Sequence, residues 1–401
     1  MPRASQFGRF ALLLCAGFCL VLSLEARPAF EEKTQRLVEA IGKRLQRSAV
    51  VFGQDFSDWE QHVAAKASAL SSATSDEEIA QTLGEILESY ELSHLAIFSP
   101  DSAKLLKKGL RSGIGISLHP IEEGKLISYV VPSSPADACG LQKGDVLTQI
   151  DGAPIDNVEQ LRGEIGQRRE LTWIRGGERM SCEIEYAVFE STERSSMYWL
   201  NDDIVVIRIA SFQYRFYQAH RINRFFREAR HAKAVVIDLR NNRGGLSFYS
   251  RHLASKVSPC DSTYALLAKR KHLKRSDSLE ELARMAKPIR PLPFSRAYRG
   301  KIIVLVDSLS SSAADIFPAF IQETGRGTVI GQTTSGSLQL ARTFRLPYGF
   351  KLYVPISEIL TPNGNRLEGR GFSPDISLSL EQIVNDDFVF QRIKELVPSS
   401  D

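Results

Sequence analysis

The sequence predicts an α/β protein in which a helical N-terminal segment precedes a β-rich module and a larger layered core. Near the N-terminus, apolar residues keep helical spacing at Ile79, Leu83 and Ile86. From residue 113 onward, short apolar runs alternate with glycine turns, as in "GIGISL" and "KLISYVV". After residue 203, apolar runs such as "DIVVIRIASF" and "AVVIDLR" alternate with helical stretches. Buried strands separated by helices are typical of an α/β layer structure.

The first 26 residues have the layout of a secretory signal peptide. Arg3 and Arg9 precede an uncharged apolar run over residues 10–24, which is short for a membrane span. We therefore expect an exported chain, periplasmic or secreted, that is cut after Ala26. Leu24 is larger than the third position before a cut prefers, so an uncleaved N-terminal anchor is the alternative. We expect membrane contact only in that case.

Three segments follow the signal. Residues 27–110 are predicted to be helical, and Ser75-Asp-Glu-Glu78 fits a capping box at one helix start. Residues 111–190 form the β-rich module, in which "VEQLRGEI" is predicted to be a helix and "ELTWIRGGERMSCEIEY" a hairpin with a Gly-Gly turn. Residues 200–390 form the core, with the strand "KIIVLVD" followed by a helix from about Ser312.

Charge and cysteine usage exclude several functional classes. The 401-residue chain has 51 basic and 47 acidic side chains, so nucleic acid is not an expected partner. The one basic run, "KRKHLKR", lies in an insert over residues 261–299 and is interpreted as a solvated helix, although the insert could also gate an active site. Outside the signal, Cys139, Cys182 and Cys260 show no metal-ligand spacing. We expect no metal and no cofactor, and a disulfide between Cys139 and Cys182 is permitted in an oxidising compartment.

Two glycine- or serine-rich turns after predicted strands could carry chemistry. In "VDSLSSSAADIF", residues 306–317, the serines precede a helix whose N-terminus would favour a developing anion, although serines there usually cap the helix. In "VVIDLRNNRGG", Gly244 and Gly245 form a tight turn whose N–H groups could donate to an oxyanion. The alternative for the second turn is a simple strand-to-helix connection that requires positive φ.

Two further segments hold polar side chains whose role is open when each is taken alone. Ser93 and His94 lie in "ELSHLAIF", between a predicted helix and an apolar run. Glu368 lies in "NRLEGRGFSPDI", which by itself indicates only a turn. A single histidine of this kind more often packs or caps than acts as a base.

In this order, the segments resemble the C-terminal-processing, or tail-specific, serine peptidases, on the branch similar to the tricorn core and the interphotoreceptor retinoid-binding repeats. The stretch "VVPSSPADACGLQKGDVLTQIDGAPI" resembles a PDZ domain. Residues Gly113, Ile114, Gly115 and Ile116 then stand in the place of its carboxylate-binding loop. The resemblance implies a crotonase-like ββα peptidase core over residues 200–390, with a PDZ-like domain inserted over residues 111–190.

The resemblance also implies roles for individual residues. The family's small-Ser-small-small-acidic motif falls on residues 311–315 and selects Ser312 as the nucleophile. Members with a Ser–Lys dyad carry their lysine in a stretch that here reads "TTSGSLQ", where Ser337 takes its place. The tricorn-like branch instead implies His94 as the general base, with Ser93 and Glu368 as orienting groups.

The resemblance further implies an oxyanion hole made by the N–H of Ala313 and a glycine N–H from the Gly244–Gly245 pair. We therefore expect an exported serine endopeptidase whose polypeptide substrates are selected by their C-terminal or exposed strands through the PDZ-like domain. The alternative is a catalytically inactive peptide- or ligand-binding protein on the same fold.

The missing lysine favours the inactive alternative, and so does Pro318, which should remove a hydrogen bond from the predicted helix. The joint presence of Ser93, His94, Ser312 and Glu368 favours the peptidase. A third possibility is a scaffold that delivers substrates to another protease through its PDZ-like domain.

Overall fold

The computed structural model describes residues 31–293 and 296–397, so the predicted signal over residues 1–26 lies outside the described residues. The chain divides into two compact units. The first unit holds the described residues up to Ala103 together with Ala341–Ile356, and the second holds Lys104–Leu340 and the described residues from Ser357 onward.

The helices are α1 (31–48), α2 (Trp59–Ala65), α3 (Ala67–Ser72), α4 (Asp76–Glu88), α5 (Pro100–Lys107), α6 (Pro135–Ala138), α7 (Tyr214–Tyr217), α8 (Ala219–Glu228), α9 (Ser247–Val257), α10 (Arg270–Leu273), α11 (Leu279–Met285), α12 (Ala313–Glu323), α13 (Leu380–Val384) and α14 (Asp386–Leu396). The strands are β1 (Ala96–Phe98), β2 (Leu110–Gly113), β3 (Ile116–Ile121), β4 (Gly124–Val130), β5 (Val146–Ile150), β6 (Ala153–Pro154), β7 (Arg168–Arg175), β8 (Glu178–Glu185), β9 (Ala187–Glu190), β10 (Ser196–Asn201), β11 (Ile204–Arg208), β12 (Ala234–Asp238), β13 (Ala265–Ala268), β14 (Lys287–Ile289), β15 (Lys301–Val306), β16 (Thr328–Gly331), β17 (Gln339–Arg345), β18 (Lys351–Leu360) and β19 (Ile376–Ser377).

The first unit is a helical layer completed by short strands, in which β18 pairs with both β1 and β17. The Ser75 hydroxyl accepts a hydrogen bond from the N–H of Glu78 at 3.2 Å, which confirms the predicted start of α4. The apolar face of α4 packs with α1, and β1 pairs antiparallel with the first half of β18, Ala96 opposite Tyr353. Residues 341–356, which the sequence placed in the core segment, therefore complete the apolar cluster of the N-terminal helices.

The β-rich module belongs to the second unit and has its own apolar core around Trp173. Its sheet has the order β3-β4-β5-β7-β8, with β3 at the edge, and β7 and β8 form the predicted hairpin. The helix predicted over "VEQLRGEI" is wrong in extent, because only a 3₁₀ turn forms at Val158–Leu161. Arg162 has an extended backbone there, and a Cβ at Gly163 would come within 2.6 Å of the Tyr186 ring.

The core of the second unit is a six-stranded sheet in the order β10-β11-β12-β15-β16-β19, in which β11 to β19 run parallel and β10 antiparallel. Val205 and Ile207 of β11 face the cluster that contains α8, α9 and α12. The alternate residues Ile204 and Val206 face the cluster that contains α13 and α14. Both faces of the sheet are therefore covered, as a parallel sheet requires.

The insert over residues 261–299 forms β13, α10, α11 and β14 in its described part. Its strand β13 pairs antiparallel with β14 and with the second half of β18, Leu266 opposite Leu360. Lys271, Lys274 and Arg275 of the basic run are exposed, in agreement with a solvated run.

Cys139 and Cys182 are joined by a disulfide across the β-rich module, with a sequence separation of 43 residues. We expect the double change Cys139→Ser/Cys182→Ser to lower the free energy of unfolding of this module by about 4 kcal/mol, because the unfolded chain gains loop entropy. Urea unfolding followed through the buried Trp173 measures this effect. The matched control is Cys260→Ser, which changes the exposed free cysteine and should leave the midpoint unchanged; an equal midpoint in all three proteins would contradict the prediction.

Candidate active site

Ser312 lies at the junction between β15 and α12. Strand β15 is fully buried from Ile302 to Val306, and α12 begins at Ala313, directly after the serine, as predicted. Ser312 has φ 58° and ψ −112°, whereas a helix-capping serine normally has an extended backbone. Such a conformation costs about 1–3 kcal/mol for a non-glycine residue and is found at the sharp strand-to-helix turns that present nucleophiles.

The neighbouring serine Ser310 has a different role. Its hydroxyl is buried and bonds to the carbonyl oxygen of Leu239 at 2.9 Å and to the Asp307 carboxylate at 3.0 Å. Ser310 therefore closes the loop rather than facing a substrate. Pro318 lies inside α12 and is buried, so the helix neither ends at the proline nor begins after it.

Asp315 fixes the backbone of Ser312. Its buried carboxylate accepts hydrogen bonds from the N–H of Ser312 at 2.5 Å, of Gly336 at 3.0 Å and of Ser337 at 3.2 Å. Burial raises the pKa of this carboxyl to about 6, although the hydrogen bonds work in the opposite direction. Sequence reasoning gave Asp315 no role of its own, and the only signal was its acidic position in the serine motif.

Glu368 is held against the same loop. Its buried carboxylate accepts a hydrogen bond from the N–H of Leu338 at 2.7 Å, and the N–H of Gly369 donates to the carbonyl oxygen of Gly336 at 2.8 Å. Only glycine fits at residue 336, because φ is +70° and a Cβ would come within 2.4 Å of the Gly371 nitrogen. Consecutive backbone N–H groups of the loop 336–338 therefore donate hydrogen bonds to the carboxylates of Asp315 and Glu368.

The glycine turn packs directly against the serine. A Cβ at Gly244 would lie 2.6 Å from the Cβ of Ser312, so only glycine allows this approach. The N–H of Gly244 donates to the side chain of Asn242 at 2.8 Å. Among the described residues, the N–H groups of Gly245 and Ala313 have no acceptor, which leaves these two as candidate oxyanion donors.

A buried ion-pair cluster anchors the start of the glycine turn. Asp238, the last residue of β12, accepts hydrogen bonds from Arg240 at 2.8 Å and from Arg208 at 3.3 Å. Burial alone would raise the pKa of the Asp238 carboxyl, but the two guanidinium groups hold it well below its usual range. The carboxylate is therefore ionised at neutral pH and fixes the chain where it leaves the sheet.

His94 and Ser93 belong to the first unit, in the turn between α4 and β1. The Ser93 hydroxyl lies 2.6 Å from Nδ1 of His94, and the His94 side chain is only 6% exposed. The imidazole also contacts the ring of Tyr353, with 5.5 Å between the ring centroids and an interplanar angle of 37°. Ser93 and Tyr353 together restrain the orientation of the imidazole.

The carboxylate-binding loop expected at residues 113–116 borders a groove of about 360 Å³, which is lined by the β-rich module and by the core of the second unit. Ile114, Ile116 and Phe189 form part of its apolar lining, and β3 lies at the edge of the sheet. Among the described residues, the N–H groups of Ile114 and Gly115 have no acceptor, so they are available to a bound carboxylate. The groove adjoins the glycine turn, since the Ser117 hydroxyl donates to the side chain of Asn241 at 2.9 Å.

Within residues 31–293 and 296–397, no group of three or more His, Cys, Asp or Glu side chains is placed to hold a metal ion. No helix in the same ranges has the length and apolar character needed to cross a membrane.

Residues 203–378 match the family model of peptidase family S41, and residues 126–175 match a PDZ domain. Probable CtpA-like serine proteases of Staphylococcus haemolyticus and Staphylococcus epidermidis are 26% and 25% identical to the chain over 284 and 273 residues. Each match covers 67% of this chain and 53% of the relative. The chain thus spans about half the length of these relatives.

Two solved structures share the fold. The photosystem II D1 C-terminal processing protease has a TM-score of 0.59 at 17% identity, over 89% of this chain and 96% of that one. Mature CPAF complexed with lactacystin has a TM-score of 0.64 at 14% identity, over 91% and 98% of the two chains. The chain therefore carries a peptidase family S41 domain and a PDZ domain on a mixed α/β fold, which confirms the fold class and the resemblance.

The raised pKa of Asp315 predicts a specific dependence of stability on pH. The folded carboxyl binds its proton more tightly than the unfolded one, with pKa values of about 6 and 3.8. The free energy of unfolding should therefore fall by about 3 kcal/mol through this group as the pH rises from about 4 to about 6.

Asp315→Asn removes this contribution. The free energy of unfolding of the wild type relative to the variant should therefore fall by about 3 kcal/mol between about pH 4 and about pH 6. Urea unfolding at pH 4, 5, 6 and 7 measures the difference, with exposed Asp261→Asn as the matched control. A difference that is constant from pH 4 to pH 7 would contradict the prediction.

Proposed function

We propose that this chain, with its peptidase family S41 and PDZ domains, is an exported serine endopeptidase in which Ser312 is the nucleophile. The observation that carries the proposal is the conformation of Ser312, which is strained at the start of α12 and next to the N–H of Ala313. A residue kept in a costly conformation by buried hydrogen bonds suggests selection for function rather than for stability.

The proposed reaction follows the logic of a Ser–His triad. Nε2 of His94 takes the proton of the Ser312 hydroxyl while the oxygen attacks the peptide carbonyl carbon. The N–H groups of Ala313 and Gly245 stabilise the oxyanion; we prefer Gly245 to Gly244 because the Gly244 N–H is bonded to Asn242. The imidazolium then gives its proton to the leaving amine, and water hydrolyses the acyl-enzyme by the reverse proton route.

Two residues act in this proposal as orienting groups for His94. If Nε2 is to accept a proton, Nδ1 must carry one, and the Ser93 hydroxyl at 2.6 Å is the acceptor that selects this tautomer. Glu368 is assigned the role of orienting Ser93, as the tricorn-like resemblance implies. This arrangement makes a lysine at residue 337 unnecessary, because the histidine supplies the base.

The PDZ domain would select the substrates. A peptide that adds as a strand to the edge strand β3 would place its terminal carboxylate at the N–H groups of Ile114 and Gly115 and its last side chain near Ile116. The contact between Ser117 and Asn241 gives bound peptide a route to influence the glycine turn. We propose residues 111–190 and 200–390 as the extents of the two domains, with residues 341–356 contributing to the first unit.

We further propose that the chain acts in the periplasm or outside the cell, based on the signal layout of residues 1–26. The second candidate function is an inactive peptide-binding protein, and the observation that favours it is Ser337 at the position of the family's lysine. Labelling of the nucleophile separates the two functions.

We expect a fluorophosphonate probe to add its mass once to the protein, at Ser312, and casein to be cleaved. Ser312→Ala should abolish labelling and lower kcat/KM for casein at least about 1,000-fold. His94→Ala should also prevent labelling and lower kcat/KM by a similar factor. Ser311→Ala is the matched control, since Ser311 belongs to the same loop and should retain both activities. A folded wild-type protein that is neither labelled nor active would favour the binding protein.

If the PDZ domain selects substrates by their terminal carboxylate, it should prefer peptides with a free C-terminus. In the Ser312→Ala background, a peptide that ends in an apolar residue with a free carboxylate should bind at least about tenfold more tightly than its C-terminal amide, because the charge-assisted hydrogen bonds are lost. Isothermal titration calorimetry measures both affinities. Ile114→Asp should weaken the affinity for the free-acid peptide to that for the amide peptide. If the protein without this change bound the two peptides equally well, carboxylate capture would be refuted.

A further inference from the structure

A basic depression lies on the second unit, at the end of α12 that is opposite to Ser312. It has a volume of about 1600 Å³ and is lined by residues of α8, the ends of α9 and α12 and the loop 296–299. Because α12 has 11 residues, its two ends are about 16 Å apart, so this depression is distinct from the candidate active site. Its cationic side chains are Arg227, Arg230, Lys256, Arg296, Arg299 and Arg326.

No Asp or Glu side chain is part of the lining, in the residues that the structure describes. Glu228, at the end of α8, pairs with Arg224 at 3.3 Å instead. Arg230 donates a hydrogen bond to the imidazole of His231 at 2.8 Å, so its partner here is not a carboxylate. The lining therefore holds six cationic side chains and no carboxylate among the described residues.

A structural role accounts for part of this charge. Arg326 donates to the carbonyl oxygens of Val257, Tyr298 and Gly300, so it joins the end of α9 to the loop before β15. Arg227, Lys256 and Arg326 lie near the C-terminal ends of α8, α9 and α12, where the helix dipole favours cations. Three helix ends together supply only about −1.5 elementary charges.

The remaining cations have no such role. Arg230, Arg296 and Arg299, here called the outer arginines, are exposed, and no ion pair joins them to a carboxylate within residues 31–293 and 296–397. Burial lowers the pKa values of Lys256 and Arg326, which lie deeper in the depression. A face of this kind raises the local concentration of anions.

The shape of the depression restricts the class of anion. Its volume exceeds the roughly 300–1,000 Å³ of sites for small molecules, and a concave surface does not match a flat lipid bilayer. Phe226 and Pro259 add accessible apolar surface beside the arginines, which suits a chain with both methylene and carboxylate groups. We infer that the basic depression binds an acidic stretch of a polypeptide, through arginine–carboxylate pairs at the outer arginines.

This inference goes beyond the proposed peptidase activity, because the binding needs no catalysis and can be measured without it. If the bound polypeptide is also a substrate, the depression would act as a second recognition site beside the PDZ groove. That consequence rests on the proposed function, whereas the binding itself does not.

The test is fluorescence anisotropy of a fluorescein-labelled peptide with eight consecutive glutamates, titrated with the full chain carrying Ser312→Ala. A peptide with eight glutamines is the probe control. We expect binding of the glutamate peptide only, weakened by added salt. The triple variant Arg230→Gln/Arg296→Gln/Arg299→Gln should weaken it at least tenfold. The matched variant Lys271→Gln/Lys274→Gln/Arg275→Gln removes the same charge from the other basic run and should bind as before.

Three results would overturn the inference: no binding of the glutamate peptide, equal binding of the glutamine peptide, or equal losses in the two triple variants. Circular dichroism of each variant checks folding, and the neutral glutamine side chains keep that risk small at exposed positions. Vesicles of phosphatidylcholine with roughly 30% phosphatidylglycerol, which present an anionic surface, are tested in parallel. Vesicle binding that depends on the outer arginines, without peptide binding, would assign the face to a membrane and contradict the inference.

Discussion

The buried carboxylate of Asp315 is the interaction on which the arrangement around Ser312 depends. A buried charge is costly unless hydrogen bonds replace its hydration, and the N–H groups of Ser312, Gly336 and Ser337 supply them. The same bonds keep Ser312 at positive φ, so the cost of the serine conformation is offset by the satisfaction of the carboxylate. They also tie the serine to the loop 336–338, to which Glu368 bonds.

The parallel sheet gives these groups a rigid base, and several polar contacts join the PDZ domain to the rest of the second unit. Strands β12 and β15 are buried on both faces, so the turns that follow them leave one edge of the sheet at fixed positions. The PDZ domain has its own core and meets the rest of the second unit through pairs such as Lys143 with Asp386 at 2.8 Å and Tyr129 with Glu193 at 3.2 Å. Such bonds contribute about 1 kcal/mol each, so recognition can be altered without disturbing the base.

Much of the fold could be predicted because local patterns determine it. The N-cap at Ser75, the Gly-Gly hairpin and the buried apolar strands each depend on neighbouring residues. The membership of residues 341–356 in the first unit could not be predicted, since it depends on pairing with a strand about 250 residues away. Likewise, the motif pointed to Ser312, but the acceptor role of Asp315 and the use of the Gly244 N–H by Asn242 depend on three-dimensional contacts. The roles of Ser312, His94, Ser93 and Glu368 stay predictions, as do those of the oxyanion donors and of the carboxylate-binding loop.

Asp315 holds Ser312 at positive φ, and we propose that Ser312 is reactive in this conformation. The most direct measurement is the second-order rate constant of fluorophosphonate labelling in Asp315→Asn compared with wild type, at a pH where both are folded. Asparagine keeps one acceptor oxygen but places an NH₂ group against N–H donors, so the account predicts labelling at least about tenfold slower, with the secondary structure retained. A folded variant that is labelled as fast as wild type would contradict the account, because Ser312 would then not need Asp315.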